Sequence, residues 1–411
     1  MTMATYWHGT IVMRIGIAWG REQLELDLRE ENLVAVERAP IVANLPDPAQ
    51  ALRHALEHPL DYPALRLALT PDDHVAIAVD ERIPQLGQLL VVLLEHLQQA
   101  HVQPDAITLL CSPPSSGQPW LDLLPDEFQD VRVEVHQPGD RRKLAYLTAT
   151  KDERRVYLNR TAVDADQLVL LTRRTYDPIL GHAGAETALF PGLGDEPTLS
   201  EFATQLDARP PTRQPWPAQQ IAKEVSWLLG APFFVQVIDG AGDGIANILT
   251  GPLESSSEGE RLLDARWRIE AATPADVVIA SVTGEQGTLD DLARAYFAAA
   301  RVVRPGGSIV LLSEVTPRLG PSFERFRQHD DPAEALRLLL EEKPSDLAAG
   351  FMWATAAEHA KLYLLSGLSP DVTEELFAIP LQHAQQAQKL LTEQATCLLL
   401  PDAHKTLAVP R

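Results

Sequence analysis

The chain has 411 residues, more than one hydrophobic core usually supports, so we expect two or three domains. Its formal net charge of −22, without any basic cluster, argues against nucleic acids and anionic membranes as partners and leaves a small molecule as the expected one. No run approaches the ~18 consecutive apolar residues of a membrane span, and the N-terminus lacks a signal-peptide pattern, so we expect a cytoplasmic protein.

The first predicted elements are a β-hairpin and a βαβ unit. Residues 1–12 show no pattern and are predicted to be a disordered leader or the product of a mis-called start. Apolar and polar residues then alternate around Gly20, which is typical of a β-hairpin. A buried strand at 74–80, an amphipathic helix at 84–100 and a second strand at 105–111 follow. This order predicts a parallel sheet with a right-handed crossover.

The segment 175–195, TYDPILGHAGAETALFPGLGD, follows a strand-like run and is rich in glycine. It contains Asp177, His182 and Glu186, and the small residues around Gly184 allow close approach of backbone or ligand. One interpretation is a tight strand-to-helix connection with polar decoration. The other is a functional site. A divalent cation on the three side chains is a further alternative, although their spacing matches no metal-binding motif.

The second half predicts a proline-rich domain crossing, a β-hairpin, a second βαβ unit, a helix and a last strand. These elements lie at 208–217, 233–249, 276–313, 381–394 and 395–400. The two cysteines, Cys111 and Cys397, form no metal-binding or disulfide motif and are predicted to be core residues.

Two glycine-containing stretches raise the alternative of a methyltransferase. VQVIDGAGDG, at 235–244, is similar to the first loop of nucleotide-like cofactor folds. RVVRPGGSIVLLS, at 301–313, resembles a late strand motif of methionine-cofactor methyltransferases. However, too few residues separate them for the intervening strand–helix units, and the glycines of the first stretch suit a hairpin turn.

Several stretches, in order along the chain, resemble the nickel-pincer lactate racemase (LarA-like) family. VAIAVDERIP (75–84) resembles the strand ending in its Asp-x-Thr-Arg-Pro motif, and ITLLCSPPSSG (107–117) the strand ending in its Gly-Thr-His-Arg motif. PILGHAGAETALFPG (178–192) resembles the signature Pro-Phe-Ala-Gly-Tyr-Ser-Gly-Gly-x-Lys…Pro-Gly. The resemblance implies an α/β fold with two domains, 13–215 and 216–411, mainly parallel sheets of Rossmann-like βαβ units, and a cleft between the domains.

In that family a nickel-bearing pyridinium nucleotide is joined to a lysine, while two histidines act as acid and base on a 2-hydroxy acid. The family's aspartate corresponds to Asp80, and Arg82 lies one place before the family's arginine. Ser116 stands at the position of the first catalytic histidine and Asp177 at that of the second. Thr187 stands at the position of the lysine.

Because threonine cannot form the tether and serine is not an equivalent base, the resemblance implies a degenerate site. We expect a lactate racemase-like protein without the covalent nickel cofactor that binds a small ligand, such as a hydroxy acid, in the cleft. The candidate catalytic residues are Asp177, His182 and Ser116. The candidate cofactor-binding residues are Asp80, Arg82, Thr187, Glu186 and Gly184, and no metal site is predicted. The alternatives are an active racemase or epimerase with a non-covalently held nickel-pincer nucleotide, and a scaffold protein that binds a partner.

Overall fold

The computed structural model describes residues 3–7, 10–40, 42–112, 118–209, 216–230, 232–284 and 287–411. Ser116, one of the candidate catalytic residues, lies outside the described residues.

The strands of the described residues are, in chain order, β1 (Met3–Trp7), β2 (Thr10–Trp19), β3 (Glu22–Arg29), β4 (Val36–Glu37), β5 (Val75–Val79), β6 (Ile107–Cys111), β7 (Arg132–Val135), β8 (Leu144–Ala149), β9 (Arg155–Asn159), β10 (Gln167–Arg173), β11 (Thr175–Asp177), β12 (Gly181–Ala183), β13 (Phe233–Asp239), β14 (Ile245–Gly251), β15 (Arg268–Ala271), β16 (Ala275–Ser281), β17 (Val303–Leu312), β18 (Lys361–Leu365), β19 (Ala378–Pro380), β20 (Cys397–Leu400) and β21 (Leu407–Pro410).

The α-helices of the described residues are, in chain order, α1 (Pro48–Glu57), α2 (Leu86–Gln99), α3 (Arg160–Asp164), α4 (Ala185–Leu189), α5 (Glu196–Phe202), α6 (Pro217–Leu229), α7 (Ser256–Trp267), α8 (Leu289–Ala300), α9 (Pro321–Phe326), α10 (Pro332–Glu342), α11 (Leu347–His359) and α12 (Pro370–Glu375).

The chain divides into two compact units, each made of more than one segment. The terminal unit contains Met1–Pro40, Leu206–Pro210 and Trp267–Arg411, and the central unit contains Ile41–Gln205 and Pro211–Arg266. This division differs from the sequence-based one at 215/216, because β13 pairs with β10 and β14 pairs with β13. Both strands therefore extend the sheet of the central unit.

The central unit is built on a six-stranded sheet of order β14-β13-β10-β5-β6-β7, parallel except for β14. In β5, Val75, Ile77 and Val79 belong to the core on one face, which also contains α2. Ala76 and Ala78 belong to the core on the other face. Since both faces are covered, the strand is apolar throughout rather than alternating. The predicted unit β5-α2-β6 is confirmed as a parallel βαβ unit.

The terminal unit contains a five-stranded parallel sheet of order β19-β18-β17-β16-β20, which confirms the second predicted βαβ unit as β16-α8-β17. The predicted N-terminal hairpin is confirmed as β2 and β3. Its inward residues Leu24, Leu26 and Leu28 share a core with Val277 and Ile279 of the sheet. A small sheet of order β21-β15-β4 completes this unit.

Some predicted elements differ from the structure. The helix expected at 381–394 is a 3-10 helix over Ala384–Leu390, whose buried Ala384 and Ala387 have the three-residue spacing of that helix. The strand β20 is not the last one, because β21 follows and pairs with β15. Within the expected leader, Met3–Trp7 forms β1 and pairs with β2.

The stretches behind the methyltransferase alternative lie in different units. Residues 235–244 form the end of β13 and the turn of the antiparallel β13–β14 hairpin, where Gly242 has a φ of +57°. Residues 301–313 lie in and around β17, in the terminal unit. They are therefore not two parts of one cofactor-binding sheet, which argues against a methyltransferase.

Cys111 and Cys397 are buried in β6 and β20, as predicted, and burial raises the pKa of each thiol to about 12. Among the described residues, no helix is both long and apolar enough to cross a membrane.

Candidate functional site

The carboxyl ends of three neighbouring parallel strands bring two acids and an arginine together. Asp80 follows β5, Arg173 ends β10 and Asp239 ends β13. Because β10 lies between the other two strands, Arg173 is the central member. Its Nε donates to Asp80 Oδ2 at 2.9 Å, and its Nη1 donates to Asp239 Oδ2 at 3.3 Å. Open α/β sheets bind ligands at the carboxyl ends of their strands, so this edge is the expected place for a site.

Asp80 is held in its charged form. Burial alone would raise its pKa, but the charges of Arg173 and Arg82 and a hydrogen bond from the Arg82 backbone N–H (3.0 Å) outweigh burial and lower the pKa from 3.8 to about 2. At neutral pH Asp80 is therefore a carboxylate and cannot donate a proton. The exposed side chain of Arg82 adds a cation to the same edge.

The chain leaves β10 into a small hairpin formed by β11 and β12. Asp177 ends β11, and its Oδ1 accepts hydrogen bonds from the backbone N–H groups of Ile179 (2.8 Å) and Leu180 (3.0 Å). Gly181 begins β12 with a φ of +70°, and a Cβ there would lie 2.8 Å from the Trp216 ring. The carboxylate of Asp177 thus stabilises the turn, and glycine is needed where the turn ends.

His182, in β12 of this hairpin, contacts an acidic side chain. Its Nε2 lies 3.0 Å from Oδ1 of Asp264, which also accepts the Tyr176 hydroxyl at 2.8 Å. Tyr176 is the cross-strand partner of His182, and their rings meet edge to face. Since a carboxylate can only accept, the neutral imidazole carries its proton on Nε2. This leaves Nδ1 as the basic nitrogen, in the manner of a histidine oriented by an acid.

Glu186 is fully buried beneath the hairpin in an ion pair with Arg174. The guanidinium donates to both carboxylate oxygens, at 2.8 and 2.9 Å, and both side chains are 0 % exposed. Burial opposes the charge on Glu186, but Arg174 outweighs it and lowers the pKa of the carboxyl. Gln236 accepts from Arg174 Nε at 2.7 Å. Gly184 is required beside this pair, because a Cβ there would lie 2.6 Å from Cζ of Arg174.

The hydroxyl of Thr187 caps the start of α4. Its Oγ1 accepts from the Gly184 N–H at 2.8 Å and donates to the Gly184 carbonyl at 2.9 Å. The residue is 4 % exposed. Thr187 is therefore a helix-capping residue, and both hydrogen-bonding roles of its hydroxyl are in use.

The described candidate residues thus lie in three places: the strand ends, the hairpin and the buried support of the hairpin. Asp80 and Arg82 lie at the strand ends, and His182 lies in the hairpin that follows β10. Glu186, Thr187 and Gly184 form the buried support of that hairpin. The divalent-cation alternative does not fit, because Glu186 is bound to Arg174 and His182 to Asp264. Among the described residues, no group of three or more His, Cys, Asp or Glu side chains is arranged to hold a metal ion.

Sequence reasoning missed Arg173, Arg174, Asp239 and Asp264. The first three could have been found from their positions at the ends of predicted strands, where Asp80 was recognised. Asp264 lies on α7 with Ser256 and Glu260 at four-residue intervals, the spacing of one helix face. Ser256 contacts Glu186, Glu260 lies 4.0 Å from Arg174, and Asp264 contacts His182.

Comparison with known proteins shows which family and which fold the chain is similar to. Residues 19–206 match the family model of the lactate racemase N-terminal domain. The lactate racemase apoprotein from Thermoanaerobacterium thermosaccharolyticum has a similar structure, with a TM-score of 0.78 and 17 % identity over 96 % of this chain and 99 % of that one. Residues 19–206 therefore belong to the lactate racemase family, and the whole chain has a lactate racemase-like fold.

A second protein with a fold similar to that of this LarA-like chain comes from Thermotoga maritima. Its TM-score is 0.65, with 11 % identity over 90 % of this chain and 100 % of that one. No curated protein matches the sequence.

The residues of this LarA-like protein do not fit the covalent cofactor that the family resemblance implies. Thr187, which the sequence resemblance aligns with the tethering lysine, has no amine, and its hydroxyl is hydrogen-bonded to the backbone of Gly184. No histidine occurs in the sequence between His182 and His329, where the family's nickel ligand would follow the signature.

Proposed function

We propose that this LarA-like protein does not carry a covalently bound nickel cofactor and instead binds a small carboxylate ligand, such as a 2-hydroxy acid, at the carboxyl edge of the central sheet. The proposal rests above all on Thr187. A lysine at this position would supply the amine that the tether requires, whereas the threonine supplies a buried helix cap.

The surroundings of Thr187 support this interpretation. Gly184 and Glu186, its neighbours in the signature, are fixed by the guanidinium of Arg174. The segment therefore keeps its shape through an internal ion pair and needs no bound group to order it. The segment thus keeps its shape although it lacks a lysine amine. We expect this combination in a protein that binds a ligand at the carboxyl edge of the sheet but carries no tethered cofactor.

Groups at the strand ends and in the hairpin that follows β10 suit a small carboxylate. The exposed guanidinium of Arg82 can pair with a carboxylate group. His182, oriented by Asp264, offers a nitrogen that can accept a proton or a hydrogen bond from a hydroxyl. Asp80 stays ionised and keeps Arg173 in place rather than exchanging protons. A cation and an oriented imidazole together match the two polar groups of a 2-hydroxy acid.

Intact-protein mass spectrometry tests the absence of the tether. The full chain is coexpressed with the enzymes that make the nickel-pincer nucleotide, and an established lactate racemase is expressed in the same cells as a positive control. We expect the control to gain the mass of the cofactor and this chain to keep the mass of its sequence. A cofactor-sized increment on this chain would refute the proposal.

The second candidate function is an active 2-hydroxy-acid racemase or epimerase that holds the nucleotide without a covalent bond, which the His182–Asp264 pair favours. Enantiopure lactate and malate are incubated with the protein and supplied nucleotide, and optical purity is followed. Racemisation lost in Asp177→Ala or His182→Ala, but retained in the exposed control His54→Ala, would favour this candidate. Calorimetric binding of lactate or malate without racemisation supports the proposal. If lactate and malate are neither bound nor racemised, both candidate functions are refuted.

A further inference from the structure

A hollow lies at the amino ends of β5, β6 and β7, the edge of the central sheet opposite to Asp80. Its volume is about 430 Å³. Ala76, Thr108 and Arg132 are paired across these three strands and therefore lie on one face of the sheet. The first two side chains are small, and Ala165, just after α3, adds a third small lining residue. The hollow exists because small side chains cover this end of the face.

The lining carries three cations and three acids, which are Arg132, Lys143, Arg160, Asp105, Glu134 and Asp164. Some of these charged side chains already form contacts within the protein. Glu134 accepts from the Thr161 hydroxyl at 2.9 Å and lies 3.7 Å from Lys143. Arg160 donates to the backbone carbonyls of Arg142 and Leu144, at 3.0 and 2.7 Å, so it is anchored without a carboxylate.

Other charges in the lining have no counter-charge within the part of the chain that the structure describes. Arg132, Asp105 and Asp164 are exposed and form no ion pair with any described residue. Arg160 is held by two backbone carbonyls and forms no ion pair within the described ranges. The hollow therefore presents two cations and two acids that are available to a ligand, although the chain as a whole carries a formal charge of −22.

We propose that this hollow is a second binding site, separate from the carboxyl edge, for a small zwitterion such as an amino acid or a dipeptide. A ligand with a single charge would pair with either the two arginines or the two aspartates, and its uncharged part would lie against the other two side chains. A zwitterion pairs its carboxylate with Arg132 and Arg160 and its ammonium group with Asp105 and Asp164. The volume lies in the range of roughly 300–1,000 Å³ typical of small-molecule pockets.

Titration calorimetry on the full-length protein tests the site with defined probes. L-alanine and glycylglycine are the zwitterions, propionate and ethylamine are their singly charged analogues, and inorganic phosphate tests for simple anion binding. We expect heat of binding from at least one zwitterion and at least tenfold weaker binding of both analogues. Equal binding of propionate or phosphate would overturn the proposal, as would the absence of binding by both zwitterions.

Variants of exposed side chains locate the binding without disturbing the fold. Arg132→Ala and Asp105→Asn are each expected to weaken zwitterion binding at least fivefold. Arg337→Ala, an exposed arginine of the terminal unit, is the matched control and should bind as the unaltered protein does. His182→Ala should also leave this binding unchanged, which separates the result from the function proposed above. Unchanged affinity in Arg132→Ala and Asp105→Asn would refute the assignment.

Discussion

Replacing Glu186 by glutamine should be strongly destabilising, because it removes the charge that compensates Arg174 in a fully buried pair. Both side chains are 0 % exposed, and two hydrogen bonds of 2.8 and 2.9 Å join them. Removing one partner of such a pair costs about 3–5 kcal/mol, and here it leaves a buried guanidinium whose remaining carboxylate neighbour, Glu260, lies 4.0 Å away. We therefore expect Glu186→Gln to lower the free energy of unfolding by at least about 3 kcal/mol.

A surface pair of the same geometry provides the control. Arg154 donates to both oxygens of Glu201, at 2.7 and 2.6 Å, but these side chains are 26 % and 49 % exposed. Because water screens this pair, Glu201→Gln should cost less than about 1 kcal/mol. Urea unfolding of the full chain, followed by circular dichroism, measures both variants.

The comparison of these two variants tests burial itself, since both pairs join an arginine and a glutamate through two hydrogen bonds of 2.6–2.9 Å. Equal losses of stability, or a loss below about 1 kcal/mol in Glu186→Gln, would refute the reasoning. The double variant Arg174→Met/Glu186→Met should recover part of the loss, because it removes the uncompensated charge.

Three further predictions concern the same region. The folded pKa of Asp80 lies below its ordinary value, so its ionisation stabilises the fold by about 2 kcal/mol above pH ~4. This stabilisation is lost as the pH falls toward 2. In acid unfolding experiments, the difference in stability between wild type and Asp80→Asn should shrink over the same range. Gly184→Ala should lower the free energy of unfolding by about 1–3 kcal/mol in thermal unfolding, because its Cβ would lie 2.6 Å from Cζ of Arg174. Gly139→Ala is the control, because a Cβ there meets only the end of a flexible side chain. Equal melting temperatures of the two variants would contradict this prediction. Thr187→Val should cost about 1–2 kcal/mol through loss of the helix cap, and unchanged urea unfolding would show that the cap is dispensable.

The central parallel unit could be predicted because its signals are local. The strand at 74–80 is apolar on both faces, and a strongly amphipathic helix follows it, so the order β5-α2-β6 is evident from the sequence. The domain boundary could not be predicted in the same way. It depends on the pairing of β13 with β10, which joins residues about sixty positions apart by backbone hydrogen bonds that carry no sequence signature.

The sequence identified candidate residues after β5 and in the hairpin that follows β10, but it did not identify the side chains that contact them. The arginines Arg173 and Arg174 are adjacent, and successive residues at the end of a strand point to opposite sides. One consequently pairs with Asp80 at the edge of the sheet and the other with Glu186 in the interior. The sequence contains both acids, but only tertiary packing determines which arginine each acid contacts. The same holds for Asp264, which reaches His182 from a helix more than eighty residues away.

The small sheet β21-β15-β4 has a consequence for the order in which the chain can fold during synthesis. Its strands come from Val36–Glu37, Arg268–Ala271 and Leu407–Pro410, so it cannot close until residues 407–410 have left the ribosome. The six strands of the central sheet are all translated by Gly251. The nascent chain can therefore complete the sheet that carries Asp80, Arg173 and Asp239 while much of the other unit has not yet been made.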